Sequence, residues 1–223
     1  MSGARDEILG RIRAAVASGR APRAQEEAKA RLTFHPRNLI PARARDLDDA
    51  ARATLFVAMT EESQATVARV ASASDVPREI ARYLAERNLP ARLVATPDPK
   101  LDDLPWRETA LELRRGVAED DDAVAVTASF AAIAETGTLM LVSGPESPTR
   151  NNFLPETHVV VLRAKDVVGT YEEAWDRLRA ARAMPRTVNF ITGPSRTGDI
   201  AQKLELGAHG PRRLHIVLVA DAA

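Results

Sequence analysis

The 223-residue sequence contains no cysteine. This absence excludes disulfide bonds, cysteine-ligated iron–sulfur clusters, structural cysteine–zinc sites and thiol catalysis within the chain. The polypeptide therefore carries no redox group of its own. We expect any electron transfer to need a bound cofactor or a partner protein.

Aromatic residues are scarce, and neither sign of charge is in excess. Phe, Trp and Tyr make up 4% of the sequence, and 31 basic residues balance 31 acidic ones. Because the sequence has neither a positive excess nor a stripe of basic and aromatic side chains, it argues against nucleic-acid binding. Its four histidines show no metal-ligand spacing such as HExxH, so we expect no metal site.

Long apolar runs are also missing. No stretch approaches the roughly 20 apolar residues that a membrane-spanning helix needs. The first residues are charged from Arg5 onward and lack the apolar core of a signal peptide. We therefore expect a cytoplasmic protein without a membrane span.

The amino-terminal part predicts a helical arm followed by a connector. Ile8, Ile12 and Val16 recur every fourth residue, which is the apolar stripe of an amphipathic helix. The stripe needs a partner surface, either the rest of this chain or another subunit, and a homo-oligomer is one way to supply it. Two prolines and the lack of a period indicate an extended connector over residues 33–45. The predicted division is an arm with its connector over residues 1–45 and an α/β domain over residues 46–223.

Continuous apolar runs dominate the second half of the chain. They cover residues 123–126, 139–142, 159–162, 188–191 and 216–219. Runs without polar alternation are typical of strands that are covered on both faces. Shorter strands are predicted at 66–70 and 92–95, and helices from residue 47, after Asp75, over 167–178 and around Ile200 and Leu204. This alternation predicts a layered α/β domain with a mostly parallel sheet.

The segment ITGPSRTGDI, residues 191–200, follows a predicted strand, and sites in open α/β sheets lie beyond the carboxyl ends of strands. Its polar residues Ser195, Thr197 and Asp199 are expected to cap or begin a helix beside Arg196. Amides at a helix start, hydroxyls and a guanidinium together form an anion site for a phosphate or a carboxylate. A plain strand-to-helix turn explains the same residues.

The segment AETGTLMLVSGPESPTRNN, residues 134–152, places Glu135 beside a predicted buried strand. Desolvation there would raise the pKa of the carboxyl and suit it to act as a general base or nucleophile. A turn carboxylate bonded to backbone amides is the alternative. Arg150 is a candidate anion clamp, although arginines in such loops are usually exposed.

The segment GAHGPRRLHIVLV, residues 207–219, leads into the last strand. Gly207 is typical of a helix C-cap. Histidine exchanges protons near neutral pH, so His209 is a candidate for acting on a substrate, or else for contacting a helix end. His158 and His215 fall at strand positions and are expected to be structural. The sequence contains no GxGxxG dinucleotide fingerprint after a strand and no GxSxG nucleophile elbow.

Taken together, three segments resemble one known family. AAIAETGTLMLVSGP, LPETHVVVL and FITGPSRTGDIAQKLELGAHGPRRLHIVLV occur in this order. Their joint order is specific, although each piece alone is weak. The chain resembles the LUD domain family over about residues 40–223, most densely over 131–219. The resemblance implies a fold similar to the sugar-phosphate isomerase and CoA-transferase superfamily, a three-layer α/β sandwich.

The same resemblance implies a function. Short members of the family support growth on L-lactate together with two partner proteins. One partner resembles the iron–sulfur subunit of glycolate oxidase, and the other joins a LUD domain to ferredoxin-like cysteine motifs. The lack of cysteine matches the short form, so iron–sulfur clusters are expected only in the partners, with no cofactor in this chain.

The resemblance transfers motif positions but no established catalytic roles. From these positions we predict Glu135 and His209 as catalytic residues, while His158 is transferred without a role. The predicted ligand-binding residues are Thr136, Gly137, Thr138, Ser143, Gly144, Arg150, Thr192, Gly193, Ser195, Arg196, Thr197, Asp199 and Gly210.

Three hypotheses stay open at this point. The first is a subunit of a lactate-oxidising system, in which Arg196 and nearby amides hold a small carboxylate. The second is a free-standing transferase or isomerase that acts on a phosphosugar or an acyl-CoA through Glu135. The third is a non-catalytic interaction module that associates through the amino-terminal helix. The first two require the three loops to converge, so that Glu135, Arg196 and His209 share one pocket.

Overall fold

The computed structural model describes residues 3–18, 22–35, 40–181, 183–200 and 203–220. The chain divides into two compact units, residues 1–40 and residues 41–223. The helices are α1 (Gly3–Ser18), α2 (Pro22–Phe34), α3 (Asp49–Glu62), α4 (Val76–Glu86) and α5 (Tyr171–Ala181). The strands are β1 (Thr66–Val70), β2 (Arg92–Ala95), β3 (Glu112–Arg115), β4 (Val124–Ala128), β5 (Ala131–Ile133), β6 (Thr138–Val142), β7 (Thr157–Arg163), β8 (Val167–Val168), β9 (Val188–Ile191), β10 (Arg196–Ile200), β11 (Lys203–Leu206) and β12 (Arg213–Val219).

The first unit consists of α1 and α2. The predicted stripe of Ile8, Ile12 and Val16 lies on α1, and all three side chains are exposed. The predicted connector begins inside α2, where the Thr33 hydroxyl donates to the Lys29 carbonyl at 3.0 Å. Residues 36–39 of that connector lie outside the described residues. No helix in the described part of the chain is both long and apolar enough to cross a membrane.

A six-stranded sheet organises the second unit. Its order is β1-β12-β7-β4-β2-β3, and every neighbouring pair is parallel. Successive side chains on a strand point to opposite faces. On β7, Val159 and Val161 therefore join one core cluster while Val160 and Leu162 join another. Burial on both faces accounts for the continuous apolar runs and confirms the predicted α/β fold with a mostly parallel sheet.

Different layers cover the two faces of this sheet. Ile80 and Leu84 of α4 pack on one face. The other face packs against Phe56 of α3 and against a second sheet with the order β8-β5-β6-β9. Leu178 of α5 packs on the far side of that second sheet with Met140 of β6.

The second sheet corrects the sequence analysis. The runs over 139–142 and 188–191 were expected in the parallel sheet, but β6 and β9 pair antiparallel with each other. Residues 167–168, predicted as helix, form the short strand β8, and α5 begins only at Tyr171. Asp75 does not cap α4 with its side chain. It accepts hydrogen bonds from the amide and hydroxyl of Ser72 in the turn before the helix.

Candidate ligand-binding site

A cleft of about 280 Å³ lies where the turn after β9 meets the segment before β12. The turn supplies residues 190–196, and residues 209–211 face it across the opening. His158 at the start of β7 and Leu214 at the start of β12 also line the cleft. The cleft therefore lies beyond the carboxyl end of β9, but at the amino ends of two strands of the parallel sheet.

The segment after Ser195 is a β-hairpin, so the predicted helix is wrong. β10 pairs antiparallel with β11, with Arg196 opposite Leu206. Spacing of four residues between Ile200 and Leu204 suggested a helix, but these residues lie on the two strands of the hairpin. Gly207 therefore follows a strand and does not cap a helix.

The hairpin changes which groups are available to a ligand. The Ser195 amide donates to the Pro211 carbonyl at 2.8 Å, and the Ser195 carbonyl accepts from the Gly207 amide at 2.9 Å. These bonds hold the turn against the segment before β12. Without a helix start, the predicted cradle of helical amides is absent from the described residues, and Thr197 and Asp199 lie on β10. The Arg196 side chain is therefore the principal candidate for contact with an anion.

Gly193 fits the turn closely onto the end of α3. Its φ is +80°, and a Cβ built there would lie 2.3 Å from the Ser63 carbonyl oxygen. Arg196 Nη2 donates to the same carbonyl at 3.2 Å. Gly137 makes an equivalent approach one turn earlier on α3, with φ +65° and a Cβ that would lie 2.4 Å from the Thr60 amide nitrogen. Gly193 and Gly137 therefore allow the backbone to approach α3 closely.

A chain of hydroxyls connects the cleft wall to the interior. Thr192 lines the cleft, and its hydroxyl lies 2.5 Å from that of buried Thr138. Thr138 also contacts the Tyr171 hydroxyl at 3.0 Å and the Thr136 hydroxyl at 2.7 Å. The sequence predicted the three threonines. It missed Tyr171, which only the docking of α5 on the second sheet brings to them.

Glu135 lies at the start of α5 and does not line the cleft. The carboxyl is buried, and this burial raises its pKa, although a hydrogen bond from the Tyr171 backbone opposes the shift. An anion is favoured at a helix start because the first amides there lack partners. The structure thus brings Arg196 and His209 together but does not bring Glu135 to them, and its contacts favour the interpretation as a turn carboxylate.

Other predicted residues also lie outside the cleft lining, namely Thr136, Gly137, Thr138, Ser143, Gly144, Arg150, Thr197 and Asp199. Arg150 forms an ion pair with Asp120 at 2.7 Å. The Ser143 hydroxyl accepts from the Thr187 amide at 2.9 Å. Gly144 lines a second cavity of about 500 Å³ that also contains Lys100. Of the remaining predicted residues, Gly210 lies in the cleft.

Two neighbouring asparagines, buried in the turn before β7, have opposite roles. The Asn151 side chain accepts from the Ala118 amide at 3.0 Å and donates to the Gly116 carbonyl at 2.9 Å. Asn152 lines the cleft, and its Oδ1 has no hydrogen-bond partner among the described residues. Asn151 therefore fixes the turn that presents Asn152. Sequence analysis missed both, because nothing in the NN dipeptide distinguishes an anchor from a ligand contact.

Replacing Asn151 with alanine tests this anchor. The variant Asn151→Ala leaves the buried Ala118 amide and the half-buried Gly116 carbonyl without this partner, so we expect the free energy of unfolding to fall by about 2 kcal/mol in urea titrations. Asn151→Asp keeps the acceptor and should lose less. Glu108→Ala, at an exposed position, should change stability by no more than about 0.5 kcal/mol. An unchanged unfolding midpoint for Asn151→Ala would show that the two bonds do not hold the turn.

The Arg196 guanidinium gives the cleft a positive character. Arg196 and His209 line it and are exposed, whereas His158 is fully buried. Burial lowers the pKa of His158 to about 3, so this imidazole is neutral at physiological pH. No Asp or Glu occurs among the described residues that line the cleft. Within the same described part of the chain, no group of His, Asp and Glu has the arrangement of a metal site.

Comparison with known proteins decides the family. Residues 53–219 match the LUD domain. The chain belongs to the LUD domain family. It is 30% identical over 129 residues to "Lactate utilization protein C" of Geobacillus sp. (strain WCH70), covering 56% of this chain and 53% of that protein. The protein of the same name from Deinococcus radiodurans is 32% identical over 155 residues, which cover 66% of this chain and 70% of that one.

A solved structure has a similar fold. A crystal structure of a DUF162 family protein from Deinococcus radiodurans superposes with a TM-score of 0.57 at 25% sequence identity. The match covers 78% of this chain and 99% of the other. The chain spans about half the length of several curated relatives that it matches.

Proposed function

We propose that this LUD-domain chain supports the utilization of L-lactate by binding a small carboxylate in the cleft beside Arg196. Several family relatives carry the name lactate utilization protein C. The observation that carries the proposal is the charge of the cleft. The Arg196 guanidinium lines it together with His209 and the neutral imidazole of His158, with no carboxylate among its described lining residues. Such a lining favours an anion.

Arg196 is suited to hold the carboxylate. A guanidinium has five N–H groups in a planar fork that matches the two oxygens of a carboxylate. The bond to the Ser63 carbonyl uses Nη2 and orients the side chain at the mouth of the cleft. His209 lines the same cleft and is exposed, so it is placed to add a further donor.

The redox step of lactate oxidation would take place outside this polypeptide. The chain has no cysteine and so carries no redox group of its own. Its cleft of about 280 Å³ suits a small acid. We therefore propose a cytoplasmic assembly with iron–sulfur partner proteins, in which this subunit binds the acid and the partners carry the electrons. The exposed stripe on α1 is a candidate for the association.

Growth on lactate tests the proposal. A strain that lacks this gene and any paralogue should fail to grow with L-lactate as its sole carbon source. The wild-type gene should restore growth, and Arg196→Gln should not, because it removes the positive charge. Arg92→Gln is the matched control: Arg92 is an exposed arginine ion-paired to Asp121 at 2.8 Å, and this variant should restore growth. Normal growth of the deletion strain, or full rescue by Arg196→Gln, would refute the proposal.

A further inference from the structure

Two residues that line the cleft carry buried polar atoms without partners among the described residues. His158 and Asn152 both line it and expose 0% and 1% of their surface. His158 Nδ1 and Asn152 Oδ1 have no hydrogen-bond partner in the described part of the chain. Leaving a buried polar atom unpaired is unfavourable, so most such atoms in folded proteins are satisfied. An unpaired donor and acceptor in one small cleft therefore point to a ligand group that completes them.

The partner of His158 determines which of its ring nitrogens carries the proton. The Nε2 atom lies 2.8 Å from the hydroxyl of Thr127, which is fully buried. Among the described residues, this is the hydrogen bond that the Thr127 side chain makes. A buried hydroxyl that donates nothing loses a hydrogen bond, so Thr127 donates to Nε2. Because the ring is neutral, Nδ1 then carries the proton and is the donor that lacks a partner among the described residues.

We propose that His158 and Asn152 recognise a hydroxyl group, and so select small 2-hydroxy acids over the corresponding 2-oxo acids. A hydroxyl accepts from Nδ1–H of His158 and donates to Oδ1 of Asn152, which satisfies both atoms. A ketone oxygen accepts from His158 but leaves Oδ1 unpaired, and a methylene group pairs with neither. This inference rests on the proposed function, because it takes the cleft as the carboxylate site.

Calorimetry on the full chain with three acids of equal carbon number tests the selection. L-Lactate carries a 2-hydroxyl, pyruvate a 2-oxo group and propionate neither. We expect L-lactate to bind about tenfold or more tighter than either of the other two. Equal affinities, or tighter binding of pyruvate, would overturn this inference and leave the proposed carboxylate site intact. If none of the three acids binds, the proposed function itself fails.

Variants separate recognition from folding. His158→Phe should lower the ratio of L-lactate to propionate affinity, and Asn152→Leu should bring the ratio of L-lactate to pyruvate affinity close to one. His215→Phe is the matched control, because His215 is also a buried, neutral strand histidine but does not line the cleft. This variant should keep the preference for L-lactate over both propionate and pyruvate. If Asn152→Leu keeps the full ratio of L-lactate to pyruvate affinity, the proposal is overturned, even if His158→Phe fails to fold.

Nitrogen NMR of the wild-type chain gives a readout that a purely structural role would not move. Nδ1 of His158 should be protonated in the free protein, and its shift should respond to L-lactate but not to propionate. A proton on Nε2, or equal responses to both acids, would contradict the proposed pairing. An unchanged spectrum with lactate bound would mean that an internal water pairs these atoms, and would overturn the proposal as well.

Discussion

Lowering the pH from 7 to 4.5 is expected to reduce the free energy of unfolding by about 5 kcal/mol. The cause is the burial of His158 and His215, which lowers the pKa of each to about 3. In the unfolded chain, each histidine takes up a proton near pH 6.5. The unfolded state therefore binds more protons than the folded state throughout this window, so stability falls as the pH falls.

His215 shows how the fold excludes the proton. Its ring stacks on Tyr83 with centroids 3.8 Å apart, and Nδ1 lies 2.8 Å from the Thr66 hydroxyl. Arg87 and Arg82 add to the effect of burial, while Glu86 opposes it. Glu79 Oε1, 3.6 Å from Nε2, also favours the charged form but does not offset burial. The ring therefore stays neutral in the folded protein.

Urea titrations at several pH values, followed by tryptophan fluorescence, measure this loss. Both tryptophans, Trp106 and Trp175, belong to the second unit, so the signal reports on the domain that holds the histidines. His215→Phe should lower stability at pH 7 but roughly halve the further loss on acidification, because one titrating group is gone. A stability that stays constant from pH 7 to 4.5 would show that these imidazoles already accept protons in the fold.

Gly193→Ala is expected to lower the free energy of unfolding by about 3 kcal/mol and to weaken L-lactate binding about tenfold or more. The added methyl group would lie 2.3 Å from the Ser63 carbonyl oxygen, and the backbone at φ +80° disfavours alanine. The turn must then move away from α3. Its displacement would also break the contact of Arg196 with Ser63 and shift the guanidinium from the cleft mouth.

Gly198→Ala is the matched control for this substitution. Gly198 lies on β10, and a Cβ built there meets no atom within 4 Å. We expect this variant to retain stability within about 0.5 kcal/mol and to bind L-lactate normally. If Gly193→Ala and Gly198→Ala behave alike in denaturation and calorimetry, the close fit of the turn on α3 does not position Arg196.

The parts of the fold that a local sequence pattern specifies were predicted correctly. Apolar runs located the strands of the parallel sheet because both of its faces are buried, and His158 and His215 were correctly placed inside it. The second sheet was missed because its β6 is fully buried too, and an apolar run does not specify which sheet a strand joins. The hairpin over residues 196–206 was missed because its glycine and polar residues do not form the apolar run that located the other strands.

The site was only partly predictable for a related reason. The TGPSRT turn and His209 were identified because they follow or precede strands, and they meet in the cleft. Glu135 was grouped with them because it also borders a strand, but its strand lies in the second sheet and directs it to the start of α5. The roles proposed for His158 and Asn152 could not be predicted from the sequence, because only the three-dimensional structure shows which of their polar atoms lack hydrogen-bond partners.

The most direct test of the carboxylate site is an NMR titration of the full chain with L-lactate, which follows the backbone amides of both cavities. We predict that shifts change at Gly193, Arg196 and Gly210 around the cleft, with no change at Lys100 and Ser129 in the larger cavity. Changes confined to the larger cavity, or no saturable change in either, would contradict the assignment of the cleft as the lactate site.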